Sequence, residues 1–324
     1  MKVFVSRNIP ASAVDVLKEH GLEVKINTEN RHLTQQELIE QCQDVDLLLN
    51  VGHADLNQHF LLECKHLKGI ALASVGYDHV DLATATSLKI PVSNTPDVLS
   101  GATADVAFLL MLAVSRKAFF RANEIREGKW KDFEFMQNLG IELYGKTLGI
   151  FGLGRIGLEL AKKAKAAYNM NIIYHNRNRN TEGEKLIDAQ YVSFDDLLTK
   201  SDVISLHSNL SKETHHKFDK TVFQRMKKSA ILINTARGKV VNEIDLIDAL
   251  NQGEIWGAGL DVTDPEPMLP NNPLLQMPNV CVLPHIGSAT IETRTQMAIM
   301  AANNLIAAKN KVPMMQIVNK EVYD

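Results

Sequence analysis

Cysteine is scarce in this chain: three in 324 residues, Cys42, Cys64 and Cys281. The number is odd and no two are spaced as metal ligands. Neither a disulfide framework nor a metal site is expected, and a reducing, cytoplasmic setting is. Long apolar runs are also missing. "GATADVAFLLMLAVSRK" comes nearest, but Asp105 interrupts it and Arg116 ends it. It falls short of the roughly 20 residues that span a bilayer, and it reads as a buried helix. The opening "MKVFVSRNIP" reads as a strand with no cationic region ahead of an apolar stretch, so no leader is expected. Finally, there is no excess of one charge. Lys and Arg number 35 against 38 Asp and Glu, a net charge of −3, which points away from nucleic-acid and membrane partners.

What is present is alternation. Hydrophobic residues make up 45 % of the chain, and its length exceeds what one core usually holds, so two domains are expected. "KVFVS", "LEVKI", "VDLLLNV" and "KGIALASV" read as buried strands. "SAVDVLKEHG", "TQQELIEQC" and "NQHFLLEC" between them carry apolar residues at helical spacing. A second series follows Lys146: the strands "KTLGIFG", "NIIYH", "DVISLH", "AILINT" and "WGAGLDV", with helices at 156–168, 242–251 and within 214–228. Alternation of this kind predicts α/β architecture: two Rossmann/flavodoxin-like domains, each a parallel sheet covered on both faces. Two long apolar helices, near 101–121 and 290–309, lie at the joins. The expected domains are 1–99 plus 290–324, discontinuous, and 100–289. A chain that crosses twice suggests a hinged cleft.

"GLGRIG", residues 152–157, follows a strand and opens a helix. In a dinucleotide-binding turn Gly152 permits the tight bend, Gly154 admits a pyrophosphate to the backbone, and Gly157 lets helix and sheet approach. Arg155 and Ile156 begin the helix, whose free amides and dipole suit the phosphates. The next strand ends about 20 residues on, where an acidic residue would bind the ribose of NAD. His175 and Asn176 stand there, followed by Arg177 and Arg179. A 2′-phosphate meets no carboxylate at this point and two guanidinium groups, so NADP(H) is expected in preference to NAD(H).

Beyond later strands come "INTARGKVV", "GLDVTDPEPM" and "VLPHIGSAT", which supply Arg237, Glu266 and His285. They fall at the carboxyl edge of the sheet, where such folds bind ligands. Reduction of a 2-keto acid needs a hydride donor, a proton donor and a cation for the carboxylate. His285 with Glu266 suits the proton, and Arg237 the carboxylate and carbonyl oxygen.

These motifs, with "SVGYDHVD" (74–81) and "NTPDVLSGATADVAF" (94–108), resemble the D-isomer-specific 2-hydroxyacid dehydrogenases over nearly the whole chain. "DVTDPEP", "LPHIGSAT" with "TRTQMA", and "AANNL" are most similar to the glyoxylate/hydroxypyruvate reductase and 2-ketogluconate reductase branch. The resemblance implies a catalytic trio of Arg237, Glu266 and His285. It also implies a carboxylate cradle at the amides of Val75 and Gly76, with Ser288 near the substrate, and cofactor contacts at Thr103, Asn209, Thr235 and Asp261. Asn209 stands where the family often has Pro. A homodimer through the nucleotide domain is implied, and residues 121–145, with Trp130, Phe133 and Phe135, fit an extended arm, though alone they equally fit a satellite hydrophobic cluster. Three rival functions share parts of this pattern. An NAD-dependent phosphoglycerate dehydrogenase conflicts with the missing ribose carboxylate and the missing extra C-terminal domain. A formate dehydrogenase conflicts with Glu266. A nucleotide-sensing corepressor on the same scaffold would keep the trio, and the compact length weighs against it.

Overall fold

The apolar runs form two parallel sheets in the computed structural model, which describes residues 1–29, 31–52 and 54–324. The first contains β1 (Lys2–Val5), β2 (Glu23–Ile26), β3 (Leu47–Asn50), β4 (Gly69–Leu72) and β5 (Val92–Ser93), in the order β2-β1-β3-β4-β5. Every residue of β3 and β4 is buried, as covered parallel strands require, whereas the edge strand β2 alternates Glu23 and Lys25 outward with Val24 and Ile26 inward. Successive side chains of β1 serve opposite faces. Phe4 joins Leu38, Phe60 and Ile70 on one side, and Val3 and Val5 join Leu17, Ala301 and Leu305 on the other. The helix Ile291–Lys309 lies in this unit, which comprises Met1–Leu99 and Ala289–Asp324.

The second unit, Ser100–Ser288, holds β6 (Thr147–Phe151), β7 (Asn171–His175), β8 (Gln190–Tyr191), β9 (Val203–Leu206), β10 (Ile231–Asn234), β11 (Gly257–Leu260) and β12 (Val280–Val282). Their order is β12-β11-β10-β9-β6-β7-β8, all parallel. The chain leaves β6 toward one edge and restarts at β9 on its other side. That reversal opens a crevice at the carboxyl ends of the strands, the usual ligand position in such sheets. Leu110, Val114 and Leu160 pack on one face with Ile150 and Ile233, and Leu197, Phe223 and Leu246 cover the other.

The helix expected near 101–121 is two helices. Ser100–Ser115 is followed by Ala118–Arg126, and Lys117 between them adopts a left-handed φ of 53° that breaks the hydrogen-bond ladder. Residues 127–146 contain no helix or strand, and Trp130, Phe133 and Phe135 are exposed there. Within 214–228 only Lys220–Phe223 is α-helical. The strands β5 and β8, two residues each, are too short to leave a periodic signal. Among the described residues no helix is long and apolar enough to cross a membrane.

Candidate active site

The turn after β6 is built around its glycines. Gly152 has a φ of 102°, and a Cβ there would lie 2.7 Å from the Ser208 amide nitrogen. A Cβ on Gly157 would lie 2.8 Å from the Gly152 carbonyl oxygen and 2.9 Å from Ile150 Cγ2, so only glycine lets the helix sit this close to β6. Gly154 is exposed, with nothing within 4 Å of a Cβ position. It is the N-cap of the helix Arg155–Tyr168, has no capping side chain, and is followed by a first turn without acidic residues. Uncapped amides with the positive end of the helix dipole leave a place for an anion, so these residues fit a dinucleotide pyrophosphate. Arg155 is exposed beside them, and Ile156 packs toward the core.

The ribose end is more tightly tied than the sequence suggests. Asn176 Oδ1 accepts the Leu153 amide at 2.6 Å, and its Nδ2 donates to the Leu153 carbonyl at 3.3 Å. Its side chain therefore braces the glycine turn. Asn180 Nδ2 donates to the same carbonyl at 2.9 Å. Arg179 donates through Nε and Nη2 to Glu184 at 2.7 and 2.8 Å. Arg177 lies in the field of Glu213, whose carboxyl sits below its usual range mainly through a hydrogen bond from Ser211. Asn209 is exposed, and its carbonyl accepts from Thr214 Oγ1 at 2.7 Å.

Three loops after β10, β11 and β12 carry the proposed chemistry. Asn234, buried at the end of β10, receives the Ala236 amide and donates to the Arg237 carbonyl, at 3.0 and 2.9 Å. That clamp fixes the turn presenting Arg237, whose Nη1 donates to the Ala236 carbonyl. After β12, His285 has a left-handed φ of 54°, an uncommon conformation for a side chain with a Cβ. The bend turns the next two amides, of Ile286 and Gly287, onto the two carboxylate oxygens of Asp261, at 2.8 Å each. Asp261 is buried, and burial raises its pKa against the opposing pull of those amides and of His285. Thr103 Oγ1 donates to the Gly287 carbonyl at 3.2 Å, a second tie on the same loop.

Held this way, His285 Nδ1 meets Glu266 Oε1 at 2.5 Å, and both side chains are about one-third exposed, within reach of a small molecule. The carboxylate at Nδ1 orients the imidazole ring. Ser288, next along, is partly buried.

In the first unit, the loop after β4 turns its carbonyls inward. Ser74 O accepts the Thr95 amide, Val75 O accepts Asn94 Nδ2, and Gly76 O accepts Ser74 Oγ, all at 2.8–2.9 Å. The amides of Val75 and Gly76 make no hydrogen bond to another described residue, a donor pair suited to a carboxylate.

One residue escapes the sequence reading. His207, at the end of β9, contacts Ser205 Oγ at 2.9 Å and Thr235 Oγ1 at 3.5 Å, and its Cδ2 lies 3.5 Å from a Gly157 Cβ position. Burial pushes its pKa down to about 3, so it is a neutral strut between the glycine turn and buried Thr235. The only trace of it in the sequence is the His of "SLHSN" directly after a strand.

The NAD-binding domain of the D-isomer-specific 2-hydroxyacid dehydrogenases matches residues 108–287. A glyoxylate reductase of Thermococcus litoralis is 45 % identical over 99 % of this chain and 97 % of its own. Among solved structures, a glyoxylate reductase from Paecilomyes thermophila has a TM-score of 0.88 and 34 % identity, covering 99 % of both chains. An NADPH-dependent glyoxylate/hydroxypyruvate reductase from Sinorhizobium meliloti, solved with NADP and malonate, has a TM-score of 0.85 and 30 % identity, covering 99 % of this chain and 97 % of that one.

Proposed function

The chain belongs to the D-isomer-specific 2-hydroxyacid dehydrogenases, and from that premise we propose that it is an NADPH-preferring reductase of small 2-keto acids, with glyoxylate and hydroxypyruvate as substrates and 2-ketogluconate as a further candidate. The observation that carries the reading is the 2.5 Å contact between His285 and Glu266 on a loop pinned by Asp261. The names of the relatives above support the substrate class.

When bound, the nicotinamide supplies the hydride to the carbonyl carbon. His285 gives its proton from Nε2 to the carbonyl oxygen as negative charge develops there. Glu266 holds the imidazolium and fixes its orientation. Arg237 pairs with the substrate carboxylate and the carbonyl oxygen. The amides of Val75 and Gly76 are assigned to the carboxylate as well, and Ser288 to the substrate's surroundings. The residues assigned to the cofactor are Gly152, Gly154, Arg155, Ile156 and Gly157 at the pyrophosphate, and Asn176, Arg177, Arg179 and Asn209 toward the ribose and adenine. Thr103, Thr235 and Asp261 act at the nicotinamide end, Thr103 and Asp261 by holding the His285 loop. Arg177 is assigned the larger share of 2′-phosphate recognition, because Glu184 already pairs with Arg179. The exposed aromatics of residues 127–146 support a homodimer made through the second unit.

The test is a comparison of kcat/KM for glyoxylate, hydroxypyruvate and 2-ketogluconate, each with NADPH and NADH. Turnover of at least one with NADPH ahead of NADH supports the reading. No turnover of any overturns it.

A further inference from the structure

Arg179, one of the two guanidinium groups at the ribose end, is not presented as a free cation. Both oxygens of the Glu184 carboxylate receive it, Oε1 from Nε at 2.7 Å and Oε2 from Nη2 at 2.8 Å. Glu184 is the fixed member of this pair. The Tyr174 hydroxyl donates to its Oε1 at 2.6 Å, and the Tyr174 side chain is fully buried as part of β7. The Glu184 side chain is 15 % exposed against 60 % for Arg179. Asn180 closes the network, its amide donating to the Tyr174 hydroxyl at 2.8 Å and its side chain to the Leu153 carbonyl in the glycine turn at 2.9 Å. The hydrogen bonds from Arg179 and Tyr174 also hold the Glu184 carboxyl below its ordinary range, so it stays ionised through mildly acidic pH.

We propose that Glu184 is a cofactor-specificity residue: its anchored carboxylate occupies one edge of the Arg179 guanidinium and offsets its charge, weakening the hold on a 2′-phosphate so that the site accepts NADH beside NADPH. The inference rests on the NADPH reading above for its setting. A guanidinium offers two forked edges to an oxyanion. The Nε/Nη2 edge is taken. A phosphate dianion reaching the other edge meets a cation with a carboxylate directly behind it, and the two fields largely cancel beyond a few ångströms. The guanidinium carbon also sits 6.0 Å from the Tyr191 ring centroid, so the pair is supported on that side as well. Arg177 has no such bidentate clamp among the described contacts, which is why the two arginines are unequal.

The experiment is calorimetric titration of the whole protein with 2′,5′-ADP and with 5′-AMP, probes that carry or lack the discriminating phosphate. In Glu184→Gln the amide oxygen still accepts from Tyr174 while the charge is gone. This variant should bind 2′,5′-ADP about three- to tenfold more tightly and 5′-AMP within about twofold of wild type. The gain should vanish in Arg179→Ala/Glu184→Gln. Glu184→Asp, whose shorter side chain withdraws the carboxylate from the guanidinium, should shift 2′,5′-ADP in the same direction and serves if Glu184→Gln loses thermal stability. Unchanged or weaker 2′,5′-ADP binding in a folded variant overturns the proposal. A wild type that binds the two probes equally sinks the NADPH reading instead, and a gain in Glu184→Gln still supports the role of Glu184.

Discussion

Asp261 receives the amide of Gly287 at 2.8 Å with one oxygen and the amide of Ile286 with the other, so a single buried carboxylate sets the path of the loop that carries His285. The left-handed backbone of His285 is sustained by this pairing. A residue that sequence motifs mark only as near the cofactor thus has a structural task of its own.

Asp261→Asn should therefore damage both stability and turnover. The amide keeps one acceptor but sets an NH2 against a backbone N–H in a buried site, a loss of about 1–3 kcal/mol. Denaturant unfolding measures the first effect, and kcat for 2-keto acid reduction the second. Wild-type stability together with wild-type kcat would show that the loop holds its shape without Asp261.

Glu266→Gln should shift the pH profile. Reduction needs His285 protonated, and an amide at 2.5 Å stabilises the imidazolium less than a carboxylate does. Reduction should therefore fail at lower pH than in wild type. A profile of kcat/KM against pH that superimposes on wild type would remove Glu266 from the mechanism.

The arginines should not contribute equally. Arg177→Ala should lower kcat/KM with NADPH by about tenfold, the low end for a charge-assisted hydrogen bond at an exposed site. Arg179→Ala should cost less, about threefold, because Glu184 already offsets it. Values with NADH should change little in either. Equal losses with both cofactors would reduce the two arginines to a solvated turn.

His207 makes acid stability testable. In the unfolded chain a histidine binds its proton near pH 6.5, whereas burial lowers the folded value to about 3. The unfolded state thus holds more protons between those limits. The stability associated with neutral His207 is complete above about pH 6.5 and falls by up to about 1.4 kcal/mol per pH unit below it. Carboxylates add to the loss only near and below their own range, and His32, also lowered by burial, contributes to both proteins alike, so the difference between variants from about pH 6.5 to 5 isolates His207. Unfolding free energies of wild type and His207→Asn across that interval should converge as pH falls. Parallel curves would mean that His207 does not stay neutral in the folded protein.

What was legible in the sequence is what lies next to its partner along the chain or repeats along an element. The turn of Gly152, Gly154 and Gly157 announces itself between an apolar run and a helical pattern, and the structure has strand, turn and helix there. Arg237, Glu266 and His285 were marked by their motifs after strands, and the structure brings Glu266 and His285 together. The rest depends on contacts made across the fold. Asp261 finds amides about 25 residues away, and Asn176 turns back onto Leu153 in the preceding turn. "NRNRN" shows two cations but not that a helix begins beside them and delivers Glu184 to one. The break at Lys117 is similarly silent, since nothing in "SRKAFF" announces a left-handed residue.

The most direct measurement is kcat for glyoxylate reduction with NADPH in wild type and His285→Ala, together with the NADPH dissociation constant of each. The account predicts a loss of about 10²–10⁴ in kcat with cofactor binding nearly unchanged, because the imidazole acts on the substrate oxygen and the phosphates are held at the glycine turn. A variant that keeps more than about half of wild-type kcat, where general acid catalysis should have been lost, would contradict it.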